Sequence, residues 1–205
     1  MNVHFILYIC MVTMKQEEKS KIKRDAIIKA TLALVNSNGF HATPMSKLAK
    51  LADVSPGTIY LYFENKQDLV NKVYLEVKEK FTKYSFVNYQ PELEVEENFK
   101  DMWYRIADYK LMEVDEALFL AQCDNTPIVD ENIRQEGIVH LTPLIEVLHK
   151  GKNEGIIKDI SDYLLYAYTI TPISFLIVMQ NREAYNLDPK SIDKAYESAW
   201  DSIRK

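Results

Sequence analysis

Apolar residues recur at three- and four-residue spacing along most of the chain, the pattern of amphipathic helices packed on one another. From Ile22 onward, Ile27, Ala30 and Leu34 share one face with Lys23, Arg24 and Lys29 off it, which predicts a first helix to about Ser37. Asn38-Gly39 ends it, because Gly readily takes the left-handed conformation of a helix stop. Thr43 and Pro44 read as N-cap and first helical residue of a two-turn helix with the stripe Met45, Leu48, Ala49 and Ala52. Ser55 and Pro56 repeat that signal after a tight turn, so a third short helix is expected over 57–63. Asn65 caps a fourth, with Asp68 three residues on and Leu69, Val73 and Val77 leading to Phe81.

Beyond a loop around Pro91, helical spacing continues over 94–112, 115–124, 127–152, 162–185 and 191–204. Ser161 and Asp188 or Pro189 mark starts, and Gly151 with Gly155 marks a break. Only 5 Gly and 7 Pro in 205 residues argue against a sandwich or barrel, which needs a turn every ten residues or so. The expected fold class is all-α. Three parts are expected: an N-terminal extension over 1–21, a small three-helix unit over 22–72 and a larger helical unit over 73–205.

The extension has three open readings. Its apolar run from Val3 to Val12 rises only about 15 Å as a helix, half a bilayer, and lacks the cationic start and small-residue site of a secretory signal. A start assigned too far upstream makes Met14 the natural start. An arm that packs on the chain or on a partner subunit, and a membrane or export role, are the others.

Charge divides the chain. Residues 15–84 carry 13 Lys/Arg against 8 Asp/Glu, a net of +5, and residues 85–205 carry 12 against 22, a net of −10. A local basic face attracts a polyanion even on an acidic protein, because field and counterion release depend on where the cations sit. Cys10 and Cys123 are too few for a disulfide scaffold, which fits a reducing, cytoplasmic setting. His4, His41, His140 and His149 are scattered and form no triad, zinc or phosphate-loop motif. No catalytic residue, metal or cofactor is therefore expected.

Short helices two and three joined by a tight turn, with a long helix after them, follow the helix-turn-helix plan, whose second helix enters a major groove. On the third helix Ile59 and Phe63 fall inward, leaving Thr58, Tyr60 and Tyr62 outward; the alternative makes both tyrosines core aromatics. Gly57 allows close backbone approach, Lys66 stands at the start of helix four, and helix N-termini favour a phosphate. The runs Gly39-Phe40-His41-Ala42-Thr43, Leu48 through Phe63 (LAKLADVSPGTIYLYF) and Asn65-Lys66-Gln67-Asp68-Leu69 resemble the DNA-binding domain of the TetR family of bacterial transcriptional regulators.

That resemblance covers residues 22–72 and implies an all-α homodimer with a larger domain enclosing an inducer pocket. It implies DNA contacts from Thr58 and Tyr60 of the recognition helix, and phosphate contacts from Thr43, Ser46, Tyr62 and Lys66. Position 61 is Leu, and the recognition helix holds no Arg or Gln for bidentate readout, so sequence preference comes from the Thr and Tyr side chains, Lys47, groove shape or the N-terminal arm.

In the larger unit, Trp103, Phe119, Gln122, Cys123, His140 and Tyr166 are the candidate pocket residues, since a pocket needs apolar walls and a few polar groups. Each is equally a core residue at helical spacing. Pro143 and Pro172 fall inside apolar helical runs, and the carbonyls they free near Val139 and Tyr168 either face a ligand or bond water or Thr142 and Thr171. The terminal stripe with Tyr196, Trp200 and Ile203, together with Phe175, Leu176 and Met179 before it, suits a two-fold four-helix interface or closure of the monomer core.

The expected function is a transcriptional regulator, a repressor released from a palindromic double-stranded DNA operator by a small apolar or amphipathic effector, with no membrane partner. The rival is a helical interaction protein of the same fold that binds a protein partner and DNA only weakly.

Overall fold

The computed structural model describes the backbone of residues 3–40, 42 and 44–205, and side chains from residue 14 onward. The described residues form ten α-helices and no strand, with one isolated bridge pairing Ile157 with Arg204. Two compact units result, Met1–Val73 and Tyr74–Lys205, and the division falls inside one continuous helix.

The first unit holds α1 (Val3–Asn38), α2 (Met45–Leu51), α3 (Pro56–Ile59) and the start of α4 (Lys66–Ser85). Its core is built from Ile27, Leu34 and Val35 of α1, Leu48 and Ala49 of α2, Ile59, Phe63 and Leu69, all essentially buried. α1 begins far upstream of the expected Ile22, its backbone helical from Val3. Pro44 caps α2 in place of Thr43, which lies outside the described residues, as does His41. Asn65 caps α4 as expected: its side-chain oxygen accepts from the Asp68 amide at 2.9 Å, and the Asp68 carboxylate accepts in return from the Glu64 amide at 2.8 Å.

The second unit adds α5 (Val95–Met112), α6 (Val114–Asn125), α7 (Glu131–Val139), α8 (Thr142–Asn153), α9 (Asp162–Asn181) and α10 (Pro189–Ile203). Ser161 and Asp188 cap α9 and α10, accepting from the amides of Leu164 and Ser191. The expected single helix over 127–152 is two: α7 stops at His140, and Pro143 sits in the first turn of α8, where a missing amide costs nothing. Pro143 therefore kinks no helix, and the Val139 carbonyl accepts from the Thr142 hydroxyl at 2.6 Å. Pro172 does lie within α9.

Gly151 of α8 lies close against Ile157 and Val95. A Cβ there would stand 2.5 Å and 2.8 Å from two Ile157 side-chain carbons and 2.9 Å from a Val95 methyl, and both neighbours are fully buried. Gly151→Ala is expected to cost about 1–3 kcal/mol by overpacking, read as a lower denaturation midpoint. A wild-type midpoint would refute this packing.

Candidate nucleic-acid interface

The turn from α2 to α3 is made by Asp53, which takes the left-handed conformation (φ 52°), while the Val54 amide reaches back to the Ala49 carbonyl at 3.0 Å. Ser55 then caps α3: its hydroxyl accepts from the Thr58 amide at 3.1 Å and lies 2.9 Å from the Thr58 hydroxyl. Regular helix ends at Ile59, earlier than the expected 63. The next three residues continue as tight turns, with the Leu61 amide bonded to the Thr58 carbonyl and the amides of Tyr62 and Phe63 both bonded to the Ile59 carbonyl.

This geometry sorts the expected residues. Tyr60 is exposed, Thr58 is half-buried at the capped end, and Gly57, Ser46 and Lys47 are exposed on the first turns of α3 and α2. The Tyr62 hydroxyl turns back on α1, donating to the Ser20 carbonyl at 3.1 Å with the Ser20 hydroxyl 2.9 Å away, so its phenol ties α3 to α1. Lys66 is half-buried with its ammonium 4.4 Å from the centre of the Phe40 ring, and partial burial lowers its pKa. Leu61, read in the sequence as a gap in the recognition helix, is 81% exposed. An apolar tip so placed has the chemistry to meet the methyl group of a thymine.

The expected effector residues lie in the second unit. Phe119, Cys123 and Trp103 are buried, the Trp103 indole donating to the Thr169 carbonyl at 2.9 Å. Gln122, His140 and Tyr166 are half-buried, and His140 is the closing residue of α7, not the mid-helix group expected. Burial pushes the Cys123 thiol up to about 12 and raises the Tyr166 phenol well above its usual range. None of these six lines the small cavity found between α6 and α9, about 10 Å³, whose walls include Lys110, Ala117, Ala121, Ser174 and Ile177. A larger cleft of about 350 Å³ is open and polar, edged by His149, Lys152, Asn153, Asp159 and Lys205.

The expected dimer residues divide. Phe175 is exposed and Leu176 and Met179 are half-buried on α9. Tyr196, Trp200 and Ile203 are corrected: they belong to the protomer's own core, with the Trp200 ring 5.3 Å from Phe99 and the Tyr196 ring 5.6 Å from Trp103. The α10 stripe closes the monomer because α5 presents aromatic rings to it. α9 carries apolar residues on both flanks: Leu165, Ile170, Ile173 and Ile177 are buried, and Leu164, Ala167, Tyr168, Pro172 and Phe175 form an exposed stripe. By length and hydropathy alone this helix would also suffice to cross a membrane.

Two family descriptions match the chain: "Bacterial regulatory proteins, tetR family" over residues 27–73, and "Tetracyclin repressor-like, C-terminal domain" over residues 94–204, more than half its length. An uncharacterized HTH-type transcriptional regulator of Haemophilus influenzae is 24% identical over 191 residues, 88% of this chain and 95% of that protein. A TetR family transcription regulator of Marinobacter aquaeolei shares the fold with a TM-score of 0.84 at 24% identity, over 93% of this chain and 99% of that one. Bacillus subtilis FadR, solved in complex with stearoyl-CoA, has a TM-score of 0.66 at 22% identity, over 87% of this chain and 98% of that one. With a helix-turn-helix unit at its head and the family's C-terminal domain after it, the chain belongs to the TetR family of bacterial transcriptional regulators.

Proposed function

We propose that the protein is a cytoplasmic repressor that binds a palindromic operator as a homodimer and leaves it when a small apolar or amphipathic ligand enters the second unit. The observation that carries this reading is the capped turn Asp53–Thr58, which leaves Tyr60 exposed on the recognition helix beside the exposed Lys47 and Ser46 of α2. Thr58, Tyr60 and Lys47 then serve sequence reading, and Ser46, Gly57, Tyr62 and Lys66 meet the backbone, Tyr62 by turning its hydroxyl proton from the Ser20 carbonyl to a phosphate oxygen. Thr43 keeps the phosphate role its place before α2 implies.

The exposed stripe of α9 supports a two-fold partner, since a face this apolar gains by meeting its own copy. Trp103, Phe119, Gln122, Cys123, His140 and Tyr166 line or back the ligand. The stearoyl-CoA complex of FadR is an amphipathic ligand held in the same fold and supports that chemistry. α4 belongs to both units and is the covalent route by which a ligand acts on the first. The ligand shifts the equilibrium only by its difference in affinity for the two states.

Selection of the full chain against random duplex DNA is expected to recover an inverted repeat. Tyr60→Ala should then weaken the recovered site about tenfold or more, and Lys66→Ala should weaken all sequences alike and lower the salt slope by about one. Both variants binding like wild type would remove the assignment. The exposed Leu61 favours a second reading, a protein partner docked on the same helix, and recovery of only sequence-indifferent DNA would select it.

A further inference from the structure

The second unit buries two lysines. Lys78 of α4 is 5% exposed and Lys110 of α5 is 6% exposed, and among the described residues neither has a carboxylate at ion-pair distance or donates a hydrogen bond. Both ammonium groups stand by the Phe81 ring, at 5.9 Å and 5.7 Å from its centre, which returns only part of what water would supply. The negative charge both sense is Asp124, at the exposed end of α6, while Arg134 of α7 acts against it at Lys78 and Lys78 acts against it at Lys110. Two lysines this deeply placed with no bonded counter-ion are costly even where the ammonium still touches solvent, and Met or Leu would fill either position without that cost.

Lys110 also lines the cavity between α6 and α9, beside the small side chains of Ala117, Ala121 and Ser174 and the apolar Ile177. About 10 Å³ holds one water, so a larger molecule enters only by parting those helices. Tyr74 and Tyr166, which sense the same Asp124, keep their phenols protonated far above neutral pH and bring two further donors to this part of the unit.

We infer that Lys78 and Lys110 form the recognition point for the anionic head of an amphipathic ligand, a carboxylate or a phosphate, whose apolar body lies between α6 and α9. The inference rests on the reading that this unit takes a small-molecule effector, and adds the charge and placement of the head.

The test titrates the full chain with octyl, dodecyl and hexadecyl carboxylates, phosphates and alcohols below their micelle-forming concentrations. The fluorescence of Trp103 and Trp200, the only tryptophans, reports binding in this unit. At equal chain length the anions should bind at least about tenfold tighter than the alcohol, and Lys110→Met and Lys78→Met should each remove most of that difference while leaving the alcohol unchanged. The carboxylate and phosphate arms separate the two sources of the head. Free Lys110→Met should also melt higher than wild type, a gain that a lysine held for structure would not give. Equal affinity for anion and alcohol, wild-type anion binding by both variants, or no binding of any probe overturns the inference. Operator release by the alcohol as strong as by the anions would sink the lysine role and keep the effector reading. Anion binding that is lost in Lys110→Met but leaves the operator complex unmoved would keep the site and sink that reading.

Discussion

Lys110→Met is expected to stabilise the free protein at pH 7 by on the order of 3 kcal/mol, and the gain should shrink as pH rises. Burial holds the Lys110 ammonium at a pKa of about 8 against an ordinary 10.5, with Asp124 opposing the shift and Lys78 adding to it. Between those values the unfolded chain binds more protons than the folded one, so the wild type gains stability with rising pH across that window. Below about pH 8 the penalty is present in full. Met carries no such penalty, and the difference between the two proteins should therefore close from pH 8 to 10.5.

The neighbouring groups titrate in both proteins, and all but Lys78, whose charge acts on Lys110, cancel in that difference. Lys78 is lowered as well, chiefly by burial, and adds its own rise. Tyr74 and Cys123 are each pushed up to about 12, again chiefly by burial, so the folded protein holds their protons while the unfolded chain releases them. Their effect is a loss of stability above about pH 9. Urea unfolding followed by tryptophan fluorescence at pH 7, 8, 9 and 10 reads the comparison. A difference constant with pH, or a variant less stable at pH 7, would show that the Lys110 charge is compensated in the free protein.

Phe175→Glu is expected to leave a folded monomer. Phe175 is 58% exposed, so the protomer loses little when it changes. A two-fold interface on α9 would bury the carboxylate in both copies, raising the dimer dissociation constant on the order of a thousandfold or more. Light scattering checks the mass and circular dichroism the fold. A surviving dimer would place the interface off this stripe. Trp200→Glu gives no such reading, because that ring packs on Phe99 inside the protomer and its loss unfolds the unit.

That contrast shows where the sequence was readable. Helix existence followed from spacing, and the caps at Ser55, Asn65, Ser161 and Asp188 followed from side chains that accept from a free amide. Whether a stripe meets its own core or another chain does not follow, because both need the same spacing: Trp200 turned inward and Phe175 outward on equal evidence. Pro143 was ambiguous for a similar reason, since a proline breaks a long helix or opens a new one and only the His140–Leu141 backbone decides which. The buried lysines were missed because lysine on a helix reads as surface. One signal was available: Lys78 falls on the stripe of Tyr74, Val77 and Phe81, and Lys110 on that of Ile106 and Ala107.

The bridge between Ile157 and Arg204, and the seating of Tyr196, Trp200 and Ile203 of α10 in the second unit's core, bear on how the protein is made. The first unit precedes the second in the chain and leaves the ribosome before it, and domains complete early in the chain fold early. The second unit has to hold α5 to α8 with their aromatic faces bare until α10 arrives. The helix-turn-helix unit can thus be finished while the second unit is still open, its apolar faces exposed until α10 closes them.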